Sequence, residues 1–247
     1  MSSIHLLYRN IIESSTVTTT NENSDYPKWR LHDRDIGKLF KGTSTANHTI
    51  KADQGASTQY EVDTLIIPAG HNLSGGCQLD WEHSPNDSAW TNMVTEWAGA
   101  AGQIVKEAGS SQDKRYWRLA LTSLAAIPEI PELFMGLKLE LQDVVAWNYQ
   151  EGPQGNVKRI EALSGRPHFL EQGEDREYRN YVCKVRSSSV RDDLEAFFSH
   201  SRGKPFWLKD KDGSWYFMSL VNPNIGPFIR PSLNRFDIQL EMIEVLP

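Results

Sequence analysis

Residues 60–83 read YEVDTLIIPAGHNLSGGCQLDWEH. The apolar run Leu65-Ile66-Ile67, closed by Pro68 and Gly70, suits a short strand covered on both faces. After a glycine-rich turn, Cys77, Leu79, Trp81 and His83 alternate with Gln78, Asp80 and Glu82, the period-two pattern of a half-buried strand. Two such segments around one turn point to packed β-sheets rather than a helical bundle.

The same pattern extends on the C-terminal side. Arg115 to Thr122 places Trp117, Leu119 and Leu121 on one face. Leu133 to Leu141 does so with Leu133, Leu137, Leu139 and Leu141, as one strand. Between them, Ala89 to Ala108 carries Trp90, Met93, Trp97, Ala101 and Ile104 at helical spacing, but Gly99 and Gly102 each cost about 1 kcal/mol in a helix interior. Two strands, Trp90 to Thr95 and Gln103 to Glu107, are expected there instead. Eight Trp, eight Tyr and nine Phe, with 17 Gly and 12 Pro spread along 247 residues, agree with many short strands joined by turns. No fixed-period repeat suggests a solenoid or propeller.

Gly152, Pro153, Gly155, Gly165 and Pro167 among charged residues mark a change of domain, so a boundary is placed near Asp143 to Val145, dividing residues 1–142 from 143–247. Beyond it lies the clearest helix, 189–202. Ser189 and Asp192 open it, Val190, Leu194, Phe197 and Phe198 line one face, and Gly203 and Pro205 stop it. Tyr181, Cys183 and Val185 alternate before the helix. After it, Pro205 to Leu208 and Ser214 to Leu220 flank Asp212-Gly213, a hairpin turn. Phe236, Ile238, Leu240 and Met242 make a last alternating strand. The fold class is mainly β: an N-terminal β-sandwich, then a smaller β domain with one packed α-helix.

Charge narrows the function. The formal net charge of -6 is mild and disfavours a dedicated nucleic-acid binder. No stretch approaches the length of a membrane span, and Met1 to Ser15 lacks the features of a leader, so no membrane partner is expected. Cys77 and Cys183 are too few for a disulfide framework and are expected to be buried thiols.

Catalytic and metal motifs are weak. Gly70-His71-Asn72-Leu73-Ser74-Gly75-Gly76 lacks the Lys and Ser/Thr of a phosphate loop and reads as an inter-strand turn. The seven histidines have no metal-ligand spacing. There is no Gly-x-Ser-x-Gly elbow, and neither cysteine sits in a nucleophile context. No enzyme activity, metal or cofactor is expected. Asp33 and Asp35, two apart in a loop, could bind calcium, orient a sugar or cap the next turn, with capping favoured. With Trp29 and Arg30 they form a candidate glycan-binding loop. The Asn47, Asn72 and Asn86 sequons read as turn-rich polar loops.

Taken in order, these segments resemble a family of tailed-bacteriophage virion proteins, of the distal-tail or minor-tail type, in which a discoidin-like (galactose-binding-like) sandwich precedes a tail-tube-like domain. The resemblance rests on Ser24-Asp25-Tyr26-Pro27 with Leu31 to Phe40, on Asp63 to Leu73 with its Gly-His-Asn-Leu end, and on Arg115-Tyr116-Trp117-Arg118-Leu119. In the second half it rests on Arg176-Glu177-Tyr178-Arg179, the helix, and Arg202 to Leu208. It implies a galactose-binding-like jelly roll, then a ring-forming β domain.

The implied role is structural: a homo-oligomeric ring at the virion tail tip, sixfold or threefold, assembled in the host cytoplasm. Its partners would be other copies of itself, the tail tube, the hub and other tail-tip proteins. Unpaired strands could complete a barrel between subunits. Trp147, Tyr149, Trp215, Tyr216, Phe228 and Phe236 are candidate core or interface anchors, with burial in their own domain favoured. The proline-rich loop with Pro223, Ile225, Pro227, Phe228 and Ile229 is expected to make assembly contacts. The alternative is a carbohydrate-binding adhesion module gripping a glycan through Trp29, Arg30, Asp33 and Asp35; a stand-alone hydrolase trails both.

Overall fold

The computed structural model describes residues 3–57, 59–141, 144–155, 157–161, 167–171, 175–185, 187–222 and 236–246. The chain is mainly β and divides into two compact units, one of residues 9–138 and one joining residues 1–8 to 139–246. The chain therefore passes between units twice.

The unit of residues 9–138 is a sandwich. One sheet runs in the order Thr16–Thr19, His48–Asp53, Tyr116–Thr122, Gln78–Ser84 and Thr91–Asn92, with Trp97–Ala98 also on Gln78–Ser84. A second places Val62–Ile67 between Phe134–Gly136 and Ile104–Gln112, and Phe40–Lys41 pairs with Glu129–Ile130 in a smaller one. All six residues of Val62–Ile67 are buried, Leu65-Ile66-Ile67 as an apolar run requires and Asp63 and Thr64 with a hydrogen bond between their side chains. Trp117, Leu119 and Leu121 lie in register with His83, Trp81 and Leu79 and share one core with Leu65, Ile67 and Met135. At roughly 25 cal/mol per Å² of apolar surface removed from water, such a core is the main force holding the unit together.

Two local readings change. Leu133 to Leu141 is not one strand: Phe134–Gly136 pairs with Val62–Ile67, Leu139–Leu141 pairs with Ile4–Leu7, and Leu137 between them is exposed. The Lys138 backbone N–H, bonded to Asp63 Oδ1 at 3.1 Å, fixes the break. Between Ala89 and Ala108 the strands are Thr91–Asn92, Trp97–Ala98 and Ile104–Gln112. Gly99 is required there, since a Cβ would sit 2.0 Å from the Leu73 carbonyl oxygen, and Gly102 turns at φ +82°.

The second unit holds a seven-stranded antiparallel sheet in the order Leu139–Leu141, Ile4–Leu7, Phe206–Lys209, Trp215–Leu220, Phe236–Glu244, Arg176–Val185 and Val144–Gln154. A separate hairpin joins Val157–Glu161 to Pro167–Glu171. Thus Ile4–Leu7 and Leu139–Leu141, expected inside residues 1–142, belong to this sheet. Four residues are too few for periodicity to announce Ile4–Leu7 as a strand.

The helix spans Ser188–Ser201 and buries Leu194, Phe197 and Phe198. Its cap is Ser187, whose Oγ accepts from Val190 N at 3.3 Å, rather than Ser189. Phe197 meets Phe206 edge-to-face at 4.9 Å. The Asp212-Gly213 turn joins Phe206–Lys209 to Trp215–Leu220, with Gly213 at φ +88°. Trp215 is buried and Tyr216 half-buried. The Phe228 anchor and the contacts expected at Pro223, Ile225, Pro227, Phe228 and Ile229 lie outside the described residues, as do the side chains of Trp147, Tyr149 and Phe236.

Candidate functional site

The four candidate glycan-loop residues lie on one segment of the sandwich unit. A 3-10 turn, Lys28–Leu31, follows Pro27 and ends where His32 N bonds the Trp29 carbonyl at 3.2 Å. Leu31 is its buried anchor, and its carbonyl accepts from Leu133 N at 2.8 Å. With Leu31 turned inward, Trp29 is left 48% exposed. The Arg30 guanidinium lies 5.1 Å from the Tyr26 ring centroid and 5.6 Å from that of Trp29, and Nη1 donates to the Leu39 carbonyl at 3.2 Å. Lys38 Nζ lies 6.0 Å from the same Trp29 centroid, so two cations border a half-exposed aromatic ring.

Asp33 and Asp35 cap backbone turns, as their spacing favours: Asp33 Oδ1 accepts from Asp35 N at 3.0 Å, and Asp35 Oδ1 from Gly37 N at 3.2 Å. Lys38 Nζ lies 2.8 Å from Asp35 Oδ2 and 3.9 Å from Asp33 Oδ2. That lysine holds the Asp35 carboxyl below its ordinary range. Two carboxylates against Arg30 and Lys38 leave the patch close to neutral, so it offers hydrogen-bond donors and acceptors beside an aromatic ring without a strong field. Such a surface can bind polyhydroxylated ligands. Among the described residues, no group of three or more His, Cys, Asp and Glu could hold a metal ion.

The other sequence candidates are structural. His71 Nε2 lies 2.6 Å from the Gly102 carbonyl and its Nδ1 accepts from Leu73 N, while Asn72 bonds the Ile127 carbonyl at 2.7 Å and Glu129 N at 2.8 Å. The Gly-His-Asn-Leu element is therefore a clamp joining loops. His83 packs on Trp117 in the core, and burial lowers its pKa. Both cysteines are free and buried, and burial pushes the Cys183 thiol up to about 12.

The two most deeply buried acids among the described residues escaped the sequence reading. Glu132 is wholly buried in the sandwich unit, beside Asn10, Arg34 and Glu13. Asp210 is buried in the second unit, bonded to Arg179 Nε at 2.8 Å and Tyr181 Oη at 2.9 Å. Burial works against the charge on Arg179, but its bonds to Glu177 and Asp210 outweigh this and raise its pKa. Glu132 did leave a trace in sequence, as one acid inside Ile130 to Met135. Asp210 was masked by the polar turn that it begins.

The residue 9–138 unit thus defines a β-sandwich module with an aromatic, charge-balanced loop. No protein-family model and no curated protein matches the chain. Among solved structures it is similar to the module CpGH89CBM32-6 of Clostridium perfringens, at 18% identity and TM-score 0.44, over 51% of this chain and 98% of that one. It is also similar to CpGH89CBM32-5 of the same organism, in complex with GalNAc-β-1,3-galactose (12%, TM-score 0.44, 53% and 99%). A third is chitosan-binding module 1 of a Paenibacillus chitosanase/glucanase (13%, TM-score 0.44, 51% and 98%). These neighbours are carbohydrate-binding modules.

Proposed function

We propose that this chain is a carbohydrate-binding protein without catalytic activity, taking a neutral sugar on the loop of Trp29, Arg30, Asp33 and Asp35. The observation that carries the reading is the exposed Trp29 indole, with the Arg30 guanidinium beside it and two turn-fixed carboxylates on the same segment. A sugar ring stacks its C–H face on the indole while its hydroxyls bond to Arg30 and the aspartates. Thermal unfolding of the full chain with and without galactose-type sugars tests it, because a ligand that prefers the folded state raises the melting temperature by mass action. A melting temperature indifferent to every sugar tried, in both wild type and Trp29→Ala, rejects the reading.

A second reading, a ring subunit of a phage tail tip acting in the virion, is favoured by a different feature. Val144–Gln154 is an 11-residue strand at one edge of the seven-stranded sheet, where Arg176–Val185 is its partner among the described residues. A long edge is a template for pairing with a neighbouring chain. Light scattering separates the readings. A ring of six or three copies, or one that forms only with tail-tube or hub partners, supports the scaffold. A monomer stabilised by sugar supports the adhesin.

A further inference from the structure

Arg34 is a non-glycine residue at φ +59°, in the left-handed region that side chains rarely adopt. Such strain persists where the surroundings enforce it. Here the Arg34 backbone N–H donates to Glu132 Oε2 at 3.1 Å, and Asn10 Nδ2 lies 3.5 Å from Glu132 Oε1. Asn10 also donates to the Leu133 carbonyl at 2.9 Å and accepts from Met135 N at 3.1 Å, so the carboxyl group sits in a fixed frame. The Arg34 side chain pairs with Glu13 and lies 5.3 Å from the Phe134 ring centroid.

We propose that Glu132 is the positioning residue of the Trp29–Asp35 loop, holding Arg34 in its left-handed turn through a fully buried carboxyl group. Its consequence for sugar rests on the glycan-binding reading above; the anchoring itself does not. The charged groups facing Glu132 are Asp33 and Arg34 from the loop and Glu13 from the short helix Ile11–Ser14. Burial, then the Asp33 charge, raises the Glu132 carboxyl well above its ordinary range, while the Arg34 N–H and guanidinium oppose this and the Glu13 charge adds to it. A group whose pKa is raised by folding contributes stability fully below its unfolded value and loses it as pH rises through the folded one. Ionisation strengthens the carboxylate as an acceptor for the Arg34 N–H, but the cost of burying the charge outweighs this, so the closed loop is most stable in acid and opens more readily as pH rises.

Hydrogen exchange of the full-length chain tests this without a sugar, comparing peptides over 31–36 with 116–122 as internal reference and correcting for intrinsic rates. In wild type, the relative protection of 31–36 is expected to fall about tenfold between about pH 5 and 8, the scale of one buried hydrogen bond. Glu132→Gln keeps an acceptor for the Arg34 N–H and cannot ionise, so its protection stays level. Glu132→Ala lowers protection at both ends of the range. Identical pH profiles in wild type and Glu132→Gln overturn the proposal, as does wild-type protection in Glu132→Ala. Should Glu132→Ala fail to fold, the first comparison decides alone. The expected exchange profiles with no sugar response in any variant support the anchor and reject the glycan reading.

Discussion

Among the described residues, the most deeply buried acid of each unit is Glu132 in one and Asp210 in the other, and the two are treated oppositely. Asp210 is met by the Arg179 guanidinium, a tyrosine hydroxyl and the Lys211 N–H, and Arg179 in turn lies 4.6 Å from the Tyr216 ring centroid. Glu132 is met by a backbone N–H and an amide, with two further carboxylates near it. The first arrangement offsets desolvation with opposite charge, which is why a buried ion there is tolerated. The second favours removing the charge. Equal burial thus makes one acid a structural ion and the other a pH-sensitive fastener; the partners decide which.

The largest effect that could break this contrast is at Asp210. Asp210→Ala leaves the buried Arg179 guanidinium bonded to Glu177 and the Tyr178 carbonyl and is expected to destabilise the second unit by about 3 kcal/mol, the low end for a broken buried pair, read by urea unfolding. A loss below about 1 kcal/mol would mean the pair is hydrated and the contrast false. Next comes the pH dependence of the sandwich unit. Glu132→Gln is expected to remove a loss of stability that wild type undergoes as pH rises, measured as melting temperatures across that range.

A half-exposed pair sharpens the role of burial. Arg115 forms a bidentate pair with Asp53, at 2.7 and 2.8 Å, and this lowers the Asp53 pKa. Its contribution is present above the unfolded value of Asp53 and lost as pH falls through the folded one, the reverse of Glu132. Arg115→Gln is expected to leave the urea-unfolding midpoint almost unchanged, because solvent screens the pair. Smallest in stability is Trp29→Ala, within about 0.5 kcal/mol by the same measurement, while the sugar-induced rise in melting temperature disappears.

Much of the sheet structure was legible because alternation and glycine turns are local. Trp117, Leu119 and Leu121 lie inward as their spacing demands, Gly213 turns the hairpin, and Phe197 and Phe198 are buried from the helix. Asp33 and Asp35 cap turns, as favoured, and Trp29 and Arg30 share their loop. What escaped depends on partners distant in sequence. Ile4–Leu7 is a strand because Leu139–Leu141 and Phe206–Lys209 flank it, and Glu132 matters because Asn10 and Arg34 reach it. No pattern within a short window carries such information.

The placement of Ile4–Leu7 between Leu139–Leu141 and Phe206–Lys209 has a consequence for synthesis. Ile4–Leu7 is made before both its neighbours and must wait, unpaired on one side, until the later of them leaves the ribosome, while the intervening sandwich can complete itself earlier. Removing Ile4–Leu7 would leave the sandwich that follows it in sequence whole and split the later-made sheet through its interior, so damage would surface far along the chain from the deletion.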